Sequence, residues 1–217
     1  MTRPWVAVTQ RRVHFEQRDE TGDYLDARWM PLLAAHRVVP VPNDLGAARR
    51  LLAGVPLAAI VLSGGNDLPG APGAADCAPA RDEVEDWLLD RAEQRRTTVV
   101  GICRGAQALA VRAGARLADG APQHAGTRHE VRSVASTPWG WPATFAVASH
   151  HRHVLPAVGL PPALRVLAVA DGGGTVEALG FRRLPWWGLM WHPERESPPG
   201  PAARALAHLL GHTIRSL

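Results

Sequence analysis

Cys103 stands in the run Gly101-Ile102-Cys103-Arg104-Gly105, where an apolar stretch, Thr98 to Ile102, meets a segment patterned as a helix. This is the layout of a nucleophile elbow, a tight and strained turn that presents one side chain above the end of a sheet. Glycines flanking the cysteine let the backbone pass close to the neighbouring strand and helix. A thiolate at the start of a helix meets free N–H groups and the positive end of the dipole. The N–H of Arg104 is also placed to donate to a tetrahedral oxyanion. The competing reading of Cys103 is a small buried hydrophobe at a strand end. The flanking glycines weigh against that reading. Cys77, in a loop rich in alanine and proline, has no comparable context.

A thiol nucleophile needs a base that takes its proton and returns one to the leaving nitrogen. Histidine, with an ordinary pKa of about 6.5, suits both steps. Of the ten histidines, His192 is best placed: it follows the apolar piece Gly188-Leu189-Met190-Trp191 and precedes Pro193 and Glu194. Pro193 biases His192 towards extended backbone, in which residues i and i+2 point to the same side. Glu194 can then hold the second imidazole nitrogen and fix the tautomer, as the third member of a triad does. The other readings of His-x-Glu are a metal pair or a surface ion pair with Arg195. The cluster Ser149-His150-His151-Arg152-His153 also invites a metal reading. No Cys or Asp lies close by in sequence, so a loop at the sheet edge that lines the pocket is preferred. His124 and His129 are open to either reading, and Trp186-Trp187 reads as packing.

These groups need a scaffold, and the first two thirds of the chain supply an alternation of short apolar runs and helical patterns. Expected strands are Trp5 to Thr9, Val38 to Val41, Ala58 to Leu62 and Thr98 to Ile102. Expected helices are Tyr24 to His36, Ala47 to Leu52, Arg81 to Arg95 and Gln107 to Ala113. The order predicts an α/β fold, a mostly parallel central sheet with helices on both faces. From Ala115 onward the pattern changes to strand-like pieces at Glu130 to Val134, Ala143 to Ala148, Arg165 to Ala170, Thr175 to Leu179 and Gly188 to Trp191, closed by a helix over Ala202 to Leu210. A length of 217 residues and a hydrophobic fraction of 46% suit one domain over residues 1–217.

Composition narrows the partners. The net charge is +4 and all 24 basic side chains are arginine. They are interleaved with acids, as in Arg81-Asp82-Glu83, rather than gathered in the stripe that a nucleic-acid surface would show. No run approaches the roughly 18 to 20 apolar residues that a bilayer-spanning helix needs, and the N-terminus lacks a signal-peptide pattern. Two cysteines argue against a disulfide framework. The expectation is a soluble cytoplasmic protein that acts on a small molecule, binding neither nucleic acid nor membrane.

The motifs resemble those of the class I glutamine amidotransferases, in particular the free-standing γ-glutamyl hydrolase branch, peptidase family C26. Ser63-Gly64-Gly65-Asn66-Asp67 resembles the oxyanion loop, Gly101 to Gln107 the nucleophile motif, and Met190 to Glu194 the His/Glu motif. Ser149-His150-His151 matches the family's Ser-x-His segment. The resemblance implies a flavodoxin-like core, a glutamyl thioester on Cys103, an oxyanion hole from the N–H groups of Gly65 and Arg104, and no cofactor. It implies a substrate-binding set of Gly64, Gly65, Asn66, Arg104, Gln107, Ser149, His150 and His151 around the catalytic Cys103, His192 and Glu194. Val8 to Arg11, Asp26 to Trp29 and Gly64 to Leu68 look most like γ-glutamyl-CDP-amidate hydrolases, with γ-glutamyl-γ-aminobutyrate hydrolases next. A glutaminase subunit feeding ammonia to a separate synthase, a homodimer, and a silent glutamyl-ligand sensor are the alternatives. An ester-cleaving α/β-hydrolase is disfavoured, because there the acid precedes the histidine. Specificity is expected in the segments Phe15 to Asp23, Pro69 to Pro79 and His150 to Pro156, with Arg28 as a phosphate-binding candidate.

Overall fold

The structure, a computed structural model, describes residues 2–120, 125–196 and 200–211. Strand alternation builds its centre. In β1 (Trp5–Thr9), Val6 and Val8 pack into one layer while Ala7 packs into the other. A hairpin follows, β2 (Arg11–Phe15) paired with β3 (Glu20–Tyr24), then a short α1 (Trp29–Leu32), β4 (Arg37–Val41), α2 (Leu45–Leu51) and β5 (Leu57–Leu62). Next come α3 (Pro79–Arg95), β6 (Thr98–Ile102) and α4 (Arg104–Arg112). The later chain gives β7 (Ala118–Asp119), β8 (Ala125–Ser133), β9 (Thr144–His150), β10 (His153–Pro156), β11 (Leu164–Ala170), β12 (Thr175–Phe181), β13 (Trp186–Leu189) and α5 (Pro201–Leu209).

The principal sheet runs β4-β1-β5-β6-β13-β12-β11-β8-β9. From β4 to β13 every pairing is parallel, and beyond β13 the sheet continues antiparallel. Residues of α1 and α5 join one buried layer, with Val8, Val61, Val100 and Ile102. Those of α2 and α3 join the other, with Ala7, Ile60, Leu62 and Val99. Helices thus cover both faces, as the alternating order predicts. Of the strands, β13 matters most for chemistry. Although late in sequence, it lies parallel to β6 with Ile102 beside Leu189, so the segments leaving both carboxyl ends emerge side by side.

One predicted helix is corrected. Tyr24 to His36 is not continuous: Tyr24 closes β3, and α1 begins only at Trp29. Pro31 has no N–H to give to residue 27, so it fits only the first turn and prevents an earlier start. Asp26 holds the preceding bend, its Oδ1 accepting the Arg28 N–H at 2.9 Å. The β2–β3 hairpin replaces the loop expected over Phe15 to Asp23.

Candidate active site

At Cys103 the backbone has φ 51° and ψ −108°, the strained conformation an elbow requires. Its N–H donates to Leu189 O at 2.7 Å, fastening the turn to β13. The flanking glycines answer a close approach. A Cβ on Gly101 would lie 2.7 Å from the Ala106 nitrogen, and one on Gly105 would lie 2.7 Å from Leu62 Cβ and strike the Leu62 carbonyl. The Cys103 side chain lies at the floor of a cleft of about 270 Å³.

His192 leaves β13 into the same cleft, its N–H donating to Ala148 O at 3.2 Å. Its Nδ1 lies 2.6 Å from Glu194 Oε1, and both side chains are buried. The route to that contact differs from the expected extended segment. His192 itself is extended, but Pro193 opens a short 3-10 turn through Arg195, and the turn carries Glu194 back to the ring. Pro193 sits at the first position of that turn, where its missing N–H costs nothing.

Cys103 lines the same cleft, and Gly64 is packed so close that a Cβ on it would touch both side chains. Burial pushes His192 towards the neutral form, but the charge of Cys103 and the hydrogen bonds to Cys103 and Glu194 outweigh it, raising its pKa to about 9. Since this exceeds the unfolded value of about 6.5, the pairing stabilises the fold fully below that pH. The contribution is lost as pH rises through about 9. Replacing Glu194 by Gln removes one support of the imidazolium, so His192 should titrate lower. The alkaline limb of kcat/KM should then move to lower pH, and kcat should fall about 100-fold. A pH–rate profile checks this; an alkaline limb that stays where it is would remove Glu194 from the assembly.

The loop after β5 completes the site. Gly64 packs so closely that a Cβ there would lie 2.8 Å from His192 Cε1 and 3.4 Å from Cys103 Cβ. Gly65 has φ +86° and lies under the Arg11 side chain. Asn66, at φ 61°, uses its amide structurally: Oδ1 accepts the Arg12 N–H at 2.8 Å and Nδ2 donates to Arg12 O at 2.9 Å. It ties the loop to the hairpin.

The remaining expected residues divide. Gln107 lines the cleft and donates through Nε2 to His153 O at 2.9 Å. His150 lines it too, edge-on to His192 at 5.5 Å between ring centroids. It is held below its usual pKa by burial, then by the charges of Arg195 and His192. Because β9 runs through His150, this is the end of an edge strand rather than a loop. His151 borders the cleft and lies 3.5 Å from the fully buried Glu177, which His129 flanks on the other side. Ser149 is fully buried near the end of β9. The Arg104 side chain turns away to Glu85 and Asp82, so what it offers the cysteine is main chain. Arg28 is engaged by Asp26 through Nε at 2.9 Å and Nη2 at 2.6 Å. Cys77 is exposed, and His124 lies outside the described residues.

Three further residues contribute to the site. Arg11 and Tyr24, at the base of the hairpin, line the mouth with the guanidinium 4.9 Å from the ring centroid. Alternation in Arg11 to Phe15, followed by Thr21-Gly22, is the available signal. Arg81, fully buried in the first turn of α3, donates to the carbonyls of the Gly64-Gly65 loop. Its signal is Glu85 at i+4. Among the described residues, no helix is long and apolar enough to cross a membrane.

Known proteins resemble this chain in part of its sequence and in its fold. The small chain of carbamoyl phosphate synthase from Symbiobacterium thermophilum is 32% identical over 134 residues, covering 62% of this chain and 34% of that protein. A candidate glutamine amidotransferase of Mycobacterium tuberculosis is 34% identical over 198 residues, covering 80% of this chain and 62% of that protein. This chain therefore spans about a third of the first relative's length and under two thirds of the second's. The solved structure of a candidate GMP synthase subunit from Thermoplasma acidophilum shares the fold. Its TM-score is 0.70 at 20% identity, covering 97% of this chain and 94% of that one. The Peptidase C26 family model matches residues 4–194, from the threshold of β1 to the carboxylate beside His192. The chain belongs to the Peptidase C26 family, and its α/β architecture is that of the class I glutamine amidotransferases.

Proposed function

We propose that this chain hydrolyses a γ-glutamyl amide bond through Cys103, His192 and Glu194. The observation that carries the reading is the strained Cys103 turn against a buried imidazole whose far nitrogen is 2.6 Å from a carboxylate. The Cys103 thiolate attacks the γ-carbonyl carbon, and the oxyanion that forms is met by the N–H groups of Gly65 and Arg104. The C–N bond breaks as the His192 imidazolium gives its proton to the departing nitrogen. Neutral His192 then takes a proton from water, whose oxygen attacks the thioester. The C–S bond breaks, releasing glutamate and regenerating the thiolate.

The leaving group we favour is the nucleotide amidate of γ-glutamyl-CDP-amidate or a related γ-glutamyl-N compound. Support comes from the likeness of Val8 to Arg11 and Gly64 to Leu68 to those hydrolases, and from the Arg11–Tyr24 pair at the mouth, which offers a cation and a ring. The likeness to a carbamoyl phosphate synthase small chain favours a second reading, a glutaminase that passes ammonia to a separate synthase. A release assay over glutamine, γ-glutamyl-aminobutyrate and γ-glutamyl phosphoramidates, with intact-mass detection of acylated protein, separates the two. The hydrolase reading expects fast turnover of a phosphoramidate by the chain alone. Turnover of glutamine only, and only after a partner is added, would replace it with the second.

A further inference from the structure

We infer that Arg81 is a positioning residue that holds the oxyanion hole open before any substrate or partner arrives. The inference rests on the proposed hydrolase reading, in which the Gly65 N–H meets the oxyanion. The Arg81 guanidinium is fully buried and reads the loop carbonyl by carbonyl. Nη2 donates to Ser63 O at 2.6 Å, and Nη1 donates to Gly64 O at 3.2 Å and Gly65 O at 2.6 Å. Nη1 also reaches Asn66 Oδ1 at 3.3 Å, while Nε is fixed by Glu85 Oε1 at 2.8 Å.

A trans peptide points its N–H opposite to its C=O. With Gly64 O turned to Arg81, the Gly65 N–H therefore points away from Arg81. Gly64 and Gly65 line the cleft, and a Cβ on Gly64 would face His192 and Cys103, so the side away from the buried Arg81 is the cleft. The Asn66 brace holds the far end of the loop to the hairpin, but the Gly64–Gly65 peptide plane itself is gripped by Arg81. Glycine rotates its peptide planes at small cost, and Gly65 and Asn66 both sit at positive φ. A flipped Gly64–Gly65 peptide would aim a carbonyl oxygen at the developing oxyanion, replacing attraction with repulsion. One planar fork spanning successive carbonyls removes that freedom. Lysine, a point charge on a flexible stem, cannot reproduce it.

The test uses the full chain with Arg81→Lys and Arg81→Met. Both should lower kcat on the preferred γ-glutamyl substrate by about 100-fold or more, the effect of losing one oxyanion donor, with KM little changed. Alkylation of Cys103 by iodoacetamide forms no tetrahedral oxyanion and depends on thiolate and access. Its rate should stay within about twofold of the parent. Undiminished kcat in Arg81→Met overturns the inference, and so does alkylation slowing in step with kcat, which would mean general damage to the site. Should neither variant fold, the parent chain decides. A hole formed in advance predicts lag-free turnover on the order of 1 s⁻¹ or faster without any second protein. Slow turnover with a fully alkylatable Cys103 overturns it. Failure of the underlying hydrolase reading shows differently, as turnover surviving in Cys103→Ala.

Discussion

Replacing Cys103 by alanine is expected to lower turnover of every γ-glutamyl substrate by about five orders of magnitude or more while leaving the fold intact. Nucleophile, base and acid act as a unit, so removing the sulfur forfeits nearly everything the three achieve together. The fold should tolerate the change because alanine keeps the Cβ and the group lost is a single atom. The same variant carries a second readout. His192 is held up to about 9 against the pull of burial, and Cys103 supplies the leading opposing influences, its charge and its hydrogen bond. Without the sulfur, the imidazole should titrate well below about 9, a change that an NMR titration of the ring follows directly. Intact turnover would end the case for Cys103. An unmoved His192 would say that the thiolate does not face the ring in solution.

The second large effect is on stability. Alanine at position 105 would press its methyl into the Leu62 carbonyl and to 2.7 Å from Leu62 Cβ. Both belong to β5, an interior strand paired to β1 and β6, so neither can yield. The expected cost is about 4 kcal/mol or more, in the range reserved for severe core faults. Urea unfolding measures it. Gly54 provides the contrast: it has φ +72° with nothing within 4 Å of an added Cβ, so Gly54→Ala should cost only about 1–2 kcal/mol. Equal losses at the two positions would mean that the tight packing beneath the elbow is not what makes Gly105 indispensable.

The sequence is most legible where local chemistry is self-sufficient. Trp5–Thr9 and Thr98–Ile102 are strands with the limits that their apolar runs mark. The Gly-x-Cys-x-Gly turn and the His192–Glu194 pair likewise need only neighbours within a few residues to be recognised. What stays hidden depends on distant partners. No local pattern says that β13 inserts beside β6, yet that pairing is what brings residue 192 to residue 103. Ser149 is fully buried in β9, which its polar type does not announce. Arg81 reads locally as one member of a mixed charge run. Its partners, the carbonyls of residues 63 to 65, become neighbours only when the first turn of α3 folds beneath the loop after β5. The helix expected over Tyr24 to His36 follows the spacing of Leu25, Trp29 and Leu32, a spacing that Pro31 contradicts by admitting only a first turn.

The Asn66 brace, which grips the main-chain N–H and carbonyl of Arg12, makes the rim of the entrance and the loop after β5 one mechanical body. Tailoring the protein to bulkier or smaller leaving groups by grafting a foreign ribbon between Arg11 and Tyr24 would therefore disturb rate along with selectivity. A transplant that carries its own partner for position 66 should keep its speed. One that does not would trade velocity for scope, even though every reacting side chain had been left untouched.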